Sequence, residues 1–202
     1  MEFTTLFAER LKGVCTIPNY TRHNNNLLPF HKAIAAVIEA NSNFHTQTME
    51  TSEYEYTNEL GSKKIDIAIL DENNELKGAI LFKSYCSSYN KNANNYYENM
   101  KGESSLFIDG NIPIYQIALI PTVIKNTSLR AGWETPSLNS INHYSAFINH
   151  KSEYWNLLTF HPFYFDVDYD NWTCKYSEST YIDGVPNTVT EGIVEFVNKI
   201  QN

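Results

Sequence analysis

Hydrophobic and polar positions along the chain alternate between helical and extended spacing. Between Thr4 and Lys12, Leu6, Phe7 and Leu11 recur at helical intervals, and Gly13 is expected to stop that helix. After the polar run Asn24-Asn25-Asn26, Pro29 opens a second predicted helix through His31–Ala40, ending near Asn41. From Phe44 to Tyr56 the alternation is loose, and a strand and a polar loop read equally well. The clearest signal follows. Lys64–Leu70 is a β-branched strand carrying one carboxylate, Asp66; Asp71–Glu75 is turn chemistry; Leu76–Lys83 is a second strand. Together they predict a β-hairpin with a five-residue connection. A helix is predicted over Lys91–Lys101, closed by Gly102, then an apolar strand over Ile114–Ile120, ended by Pro121. Asn139–Leu158 reads as helical with a break near Lys151. Phe160–Tyr169 is strand-like with His161-Pro162 opening it, and Thr188–Ile200 is an amphipathic helix N-capped by Thr188 or Thr190. Neither an internal repeat nor a long linker interrupts this order. The expectation is one α/β domain over residues 1–202, with a central mixed β-sheet flanked by helices.

Composition narrows the function. The 202 residues are 42% hydrophobic and 14% aromatic, ample for a packed core, and 15 Lys+Arg against 23 Asp+Glu give a net charge of −8. That balance argues against indiscriminate nucleic-acid binding, which rests on neutralising phosphates, but leaves room for one basic cleft in an acidic shell. No apolar run reaches the ~18 residues of a membrane span, so no membrane partner is expected. The N-terminal Met-Glu-Phe-Thr-Thr has neither the basic nor the apolar region of a signal peptide. Three scattered cysteines, Cys15, Cys86 and Cys174, form no C-x-x-C pair, which points to reduced thiols in a cytoplasmic protein. Walker, dinucleotide-binding and nucleophile-elbow motifs are absent, and the six histidines show no zinc spacing. Asp166, Asp168 and Asp170 alternate, but the glycine and terminal glutamate of an EF-hand loop are missing.

Asp66 carries the chemistry. An ionised carboxylate within an apolar strand is costly unless it is paired or metal-bound, and Lys83 ends the neighbouring strand of the predicted hairpin. A carboxylate and an ammonium at one end of a twisted hairpin can share a divalent ion and a water. Strand-Asp, turn, strand-Lys, then helix resembles the PD-(D/E)xK nuclease superfamily, which includes many type II restriction endonucleases. The matching core spans about residues 59–121. The resemblance implies a restriction-endonuclease-like core built in the order helix, hairpin, helix, strand. It implies Mg²⁺ as cofactor, double-stranded DNA as substrate and a homodimer. The chain departs from the motif at Leu81, two residues before Lys83, where a carboxylate belongs.

Some members of the superfamily carry that acid on the following helix. Glu98, 15 residues beyond Lys83, is the first choice for it, and Glu103 the second. The resemblance thus implies Asp66 and Glu98 as metal ligands and Lys83 beside the attacking water. It also implies a further acid before the hairpin, for which Glu39 and Glu59 remain open. Ser84, Ser87 and Lys91 follow the lysine strand as candidate phosphate contacts. Arg130 and Asn139, in the polar stretch Thr127–Ser140, are candidate base readers. The expected activity is that of a type II restriction endonuclease. The alternatives are a non-cleaving nuclease-fold module that binds DNA or protein, and a phage-defence or repair nuclease.

Overall fold

The computed structural model describes residues 2–20, 24–125, 132–136, 138–150, 156–180 and 182–201. In chain order the elements are α1 (Phe3–Thr16), α2 (Leu28–Ala40), β1 (His45–Thr48), β2 (Tyr54–Asn58), β3 (Gly61–Ile65), β4 (Ile67–Leu70) and β5 (Leu76–Ser84). They continue with α3 (Tyr89–Asp109), β6 (Ile114–Pro121), β7 (Ile124–Lys125), β8 (Trp133–Glu134), α4 (Leu138–His150), β9 (Leu158–Asp168), β10 (Thr173–Tyr176) and α5 (Val189–Gln201).

Six strands form one mixed sheet in the order β1-β4-β5-β6-β9-β10. β1, β4 and β5 run antiparallel, β5, β6 and β9 run parallel, and β10 returns antiparallel to β9. The predicted hairpin is β4–β5, with Ile67 opposite Ile80, and the α/β class and central mixed sheet are as expected. The β-branched and aromatic strands alternate cleanly between two helical layers. Ile67, Ile69, Ile80, Phe82, Ile117 and Phe165 pack with α1, α2 and α5. Ala68, Leu70, Ala79, Leu81, Ala118 and Ile120 pack with α3 and α4. Two β-ribbons stand outside the sheet, β2–β3 and β7–β8.

Several boundaries differ from the sequence reading, each for a packing reason. α1 runs past Gly13 to Thr16 because Phe3, Leu6, Phe7 and Leu11 bury one face and hold the helix through the glycine. The ambiguous stretch after Phe44 holds two short strands, β1 and β2, which belong to different sheets. α3 does not close at Gly102. A glycine inside a helix costs about 1 kcal/mol, and the burial of Met100, Ser104, Phe107 and Ile108 on either side outweighs that, so the helix continues to Asp109. Lys64 and Ile65 leave the hairpin and pair with β2 instead, which puts a bend at Asp66. His161 and Pro162 lie inside β9 rather than at its start, and His161 Nδ1 meets the Tyr115 hydroxyl at 3.1 Å. The N-cap of α5 is Thr188: its hydroxyl accepts from the Glu191 N–H at 3.1 Å while the Glu191 carboxylate accepts from the Thr188 N–H at 3.3 Å. Asp166 accepts from the Thr122 hydroxyl, and Asp168 accepts from the backbone of the following turn. Among the described residues no helix is long and apolar enough to cross a membrane.

Candidate active site

The sheet forks at Asp66. Before it, β3 belongs to the β2–β3 ribbon; after it, β4 joins the main sheet. Ile67 opposite Ile80 is the last rung of the β4–β5 ladder at this end, so the N–H of Phe82 has no strand carbonyl from β4. The Asp66 carboxylate takes that N–H, with Oδ2 at 2.8 Å. Asp66 is therefore a strand-end residue whose side chain completes the backbone pairing, not the mid-strand residue of the sequence reading. Part of its surface stays open, yet its carboxyl lies deep enough that burial pushes its pKa up. The Phe82 N–H, His31, Lys83 and Lys63 act in the opposite direction and favour the ionised form without reversing the shift.

Lys83 points to the α3 side of the sheet because it shares the face of Leu81 on β5. Leu81, two residues before Lys83, is buried under α3 and fills a core position. A carboxylate reaches Lys83 from the helix above. Glu103 Oε2 lies 3.0 Å from Lys83 Nζ, and Oε1 accepts from Lys83 at 3.2 Å. Glu103 Oε1 also accepts from Lys63 of β3, at 2.8 Å. Burial alone would raise the Glu103 pKa, but the two ammoniums outweigh it and hold the carboxyl below its ordinary value.

Glu98, the first-choice acid, does not join this cluster. With about 100° per helical residue, positions five apart lie about 140° apart around the axis. When Glu103 meets Lys83, Glu98 is therefore carried outward, where it is exposed and pairs with Lys101 at 3.1 Å. The extension of α3 through Gly102 is what brings Glu103 into reach. Glu39 is also elsewhere: its Oε1 accepts from the Thr46 hydroxyl at 2.6 Å and N–H at 3.1 Å, tying α2 to β1. Glu59 is exposed at the turn of the β2–β3 ribbon.

The helix before the hairpin contributes a histidine. His31 of α2 is almost fully buried, and neither ring nitrogen has a hydrogen-bond partner among the described residues. Burial lowers its pKa, while the negative charges of Asp66 and Glu53 pull it back up. Its ring stands edge-on to Phe82, with centroids 6.1 Å apart. The sequence reading looked for an acid on this helix and passed over His31, whose place three residues before Ile34 put it on the buried face.

The candidate DNA contacts scatter. Ser84 is held by the buried Arg10, whose Nε donates to its hydroxyl. Ser87 is half-buried in the connection to α3, and Lys91 is exposed in the first turn of that helix. Asn139 lies in the first turn of α4, and Arg130 lies outside the described residues.

Glu103 is aimed by a polar tie under α3. Gln116, buried on β6, donates from Nε2 to the Met100 carbonyl and to the Ser104 hydroxyl, both at 2.8 Å. These bonds fix the rotation of the helix one residue from Glu103. Gln116→Leu would leave the buried Ser104 hydroxyl without its donor and break the tie. The expected loss is about 1–3 kcal/mol of stability, read from the midpoint of urea unfolding.

Glu103 meets both ammoniums directly, Asp66 feels their charge without an ion pair to either, and both carboxylates supply hard oxygen donors. Glu103 Oε2 is buried and accepts no hydrogen bond of good geometry among the described residues. No group of three or more His, Cys, Asp and Glu is gathered among the described residues, so a zinc-type cage is not offered. Two carboxylates with water and substrate oxygens filling the remaining positions is how Mg²⁺ is commonly bound, and that donor set fits. Comparison with protein-family models, curated proteins and solved structures finds nothing that matches this chain.

Proposed function

We propose that the protein is a Mg²⁺-dependent DNA endonuclease of the PD-(D/E)xK kind, acting as a type II restriction enzyme in the form of a homodimer on a two-fold symmetric site. The observation that carries this reading is the arrival of Glu103 from α3 at Lys83, on the side of the sheet where Leu81 leaves the motif short of a carboxylate. The order of elements also supports it. Helix α2, hairpin β4–β5, helix α3 and parallel strand β6 come in the order the resemblance implies, with β1–β3 inserted between α2 and the hairpin.

In the proposed reaction a water oxygen bonds to phosphorus as the bond to the leaving oxygen breaks; the water's proton passes to bulk solvent, and the leaving oxygen takes a proton up from solvent. Mg²⁺ bound by Asp66 and Glu103 would supply charge stabilisation at the phosphoryl oxygens and a more acidic bound water. Lys83 holds the attacking water and the phosphate by hydrogen bonds from its ammonium. The Phe82 N–H keeps the Asp66 carboxylate in one orientation, so no reorganisation is needed as the reaction proceeds.

The test is incubation of purified protein with plasmid DNA of mixed sequence, with Mg²⁺ and with chelator. Discrete fragments support a restriction enzyme, and smearing or nicking points to a defence or repair nuclease. Absence of cleavage with retained DNA binding would make the chain a non-cleaving member of the fold. Where cleavage occurs, Lys83→Ala is expected to slow it by roughly 10²-fold or more, the usual scale for losing one preorganised donor at the reacting oxygens.

A further inference from the structure

Lys63 is the member of the cluster that neither the motif nor the proposed chemistry uses. It comes from β3, in the ribbon outside the main sheet, yet its Nζ meets Glu103 Oε1 at 2.8 Å beside Lys83. Two ammoniums on one carboxylate leave a surplus of positive charge at the site.

A groove of about 410 Å³ opens directly beside this cluster, between the ribbon and α3, with Lys63 and Glu103 among its lining residues. Its walls include Gly61, Ser62, Asn99 and Gly102, which are small or uncharged. A Cβ placed on Gly61 or Gly102 would meet nothing within 4 Å, so both glycines border open space. The ribbon is anchored as a wall: Asn58 Nδ2 donates to the Leu106 carbonyl of α3 at 2.8 Å, and Tyr56 stacks on Phe107 with ring centroids 5.3 Å apart. Glu98, the acidic residue of the groove besides Glu103, is neutralised by Lys101.

We propose that this groove seats the strand being cut, and that Lys63 is a second phosphate-binding ammonium, sharing the scissile phosphate with Lys83. The inference rests on the nuclease reading and names the substrate path into that same site. In the absence of DNA, Glu103 occupies both lysines. When the phosphate enters, the lysines turn their donors to its oxygens and Glu103 is freed for the metal. A cation that binds only phosphate carries no sequence information, so its loss should weaken binding to all sequences alike.

The experiment compares wild type, Lys63→Met, Lys63→Arg and Gly102→Leu for binding of a mixed-sequence DNA duplex in chelator at several salt concentrations, for cleavage with Mg²⁺, and for melting temperature. Lys63→Met should weaken binding, reduce the salt slope by about one counterion, and raise KM more than it lowers kcat. Lys63→Arg should restore most of the binding. Gly102→Leu removes a helix-breaking glycine while filling the groove. It should raise the melting temperature by about 2–4 °C while weakening DNA binding, a combination that no loss of folding produces. Unchanged affinity and salt slope in Lys63→Met, or full binding in a stabilised Gly102→Leu, would overturn the inference. Because these arms measure binding, they stand apart from the nuclease reading, which fails if wild type bound to DNA never cuts it.

Discussion

Asp66→Asn is expected to abolish cleavage, by roughly 10³-fold or more, while making the metal-free protein more stable at neutral pH. The first effect follows from removing one of the two anionic ligands proposed for the metal, which would itself stabilise the developing negative charge, and losses of that kind are felt on that scale. The second follows from the sign of the pKa shift. Burial raises the Asp66 pKa, so the folded protein binds a proton there more tightly than the unfolded chain does. The associated stability is fully present below the ordinary carboxylate pKa of about 3.9 and is lost as pH rises through the elevated folded value. Asparagine keeps the shape and the acceptor for the Phe82 N–H and has no charge to desolvate. Thermal melts in chelator from acid to neutral pH should show the variant gaining on wild type as pH rises. His31 adds a loss on the acid side in both proteins. Its lowered pKa means that stability falls as pH drops below about 6.5, the ordinary histidine value. An inactive Asp66→Asn whose melting temperature tracks wild type at every pH would show that the carboxyl is not desolvated as described.

The second large effect separates the two glutamates of α3. Glu103→Gln should cut at no more than about 10⁻² of the wild-type rate, because it removes the carboxylate that meets Lys83 and Lys63. It should also bind uncleaved DNA more tightly, since an anion that competes with phosphate for two ammoniums has become neutral. Glu98→Gln should cut within about threefold of wild type, as an exposed (i,i+3) ion pair contributes little. This reverses the order expected from spacing alone, in which Glu98 was the stronger choice. Initial rates on a plasmid fragment, with gel-shift affinities measured in chelator, distinguish the two. A Glu98→Gln protein as inactive as Glu103→Gln would assign the proposed ligand role to Glu98 at the rim of the groove.

Much of the site was legible because it depends on local pattern. Asp66 stood out as a charge in an apolar run, and Lys83 as the polar end of the next one; both lie at the fork of the sheet. Leu81 was legible as a departure from the motif, though not as a core residue under α3. The choice between Glu98 and Glu103 was not legible. It turns on how far α3 continues through Gly102 and on its rotation, and both are set by Met100, Ser104 and Phe107 packing on β6 and by the Gln116 tie. A local reading scores Gly102 as a stop because it cannot count buried area on either side.

Lys63 and His31 were invisible for a related reason. Lys63 sits in what sequence alternation reads as the approach to a hairpin strand. Only the bend at Asp66 turns that segment into a separate ribbon that folds over α3. His31 reads as one polar residue near the start of an apolar helix, and only the packing of α2 on β5 places it against Phe82, within reach of the Asp66 charge. By itself the amino-acid sequence determined the β4–β5 hairpin, the strands β6 and β9, the main helices, the α/β class and the two residues whose chemistry conflicts with their surroundings, since periodicity and desolvation act over a few neighbouring positions. Which carboxylate meets Lys83, which second lysine shares it and which histidine is buried beside Phe82 was decided by the tertiary structure, because helix rotation and the parting of strands are set by packing between segments far apart in the chain.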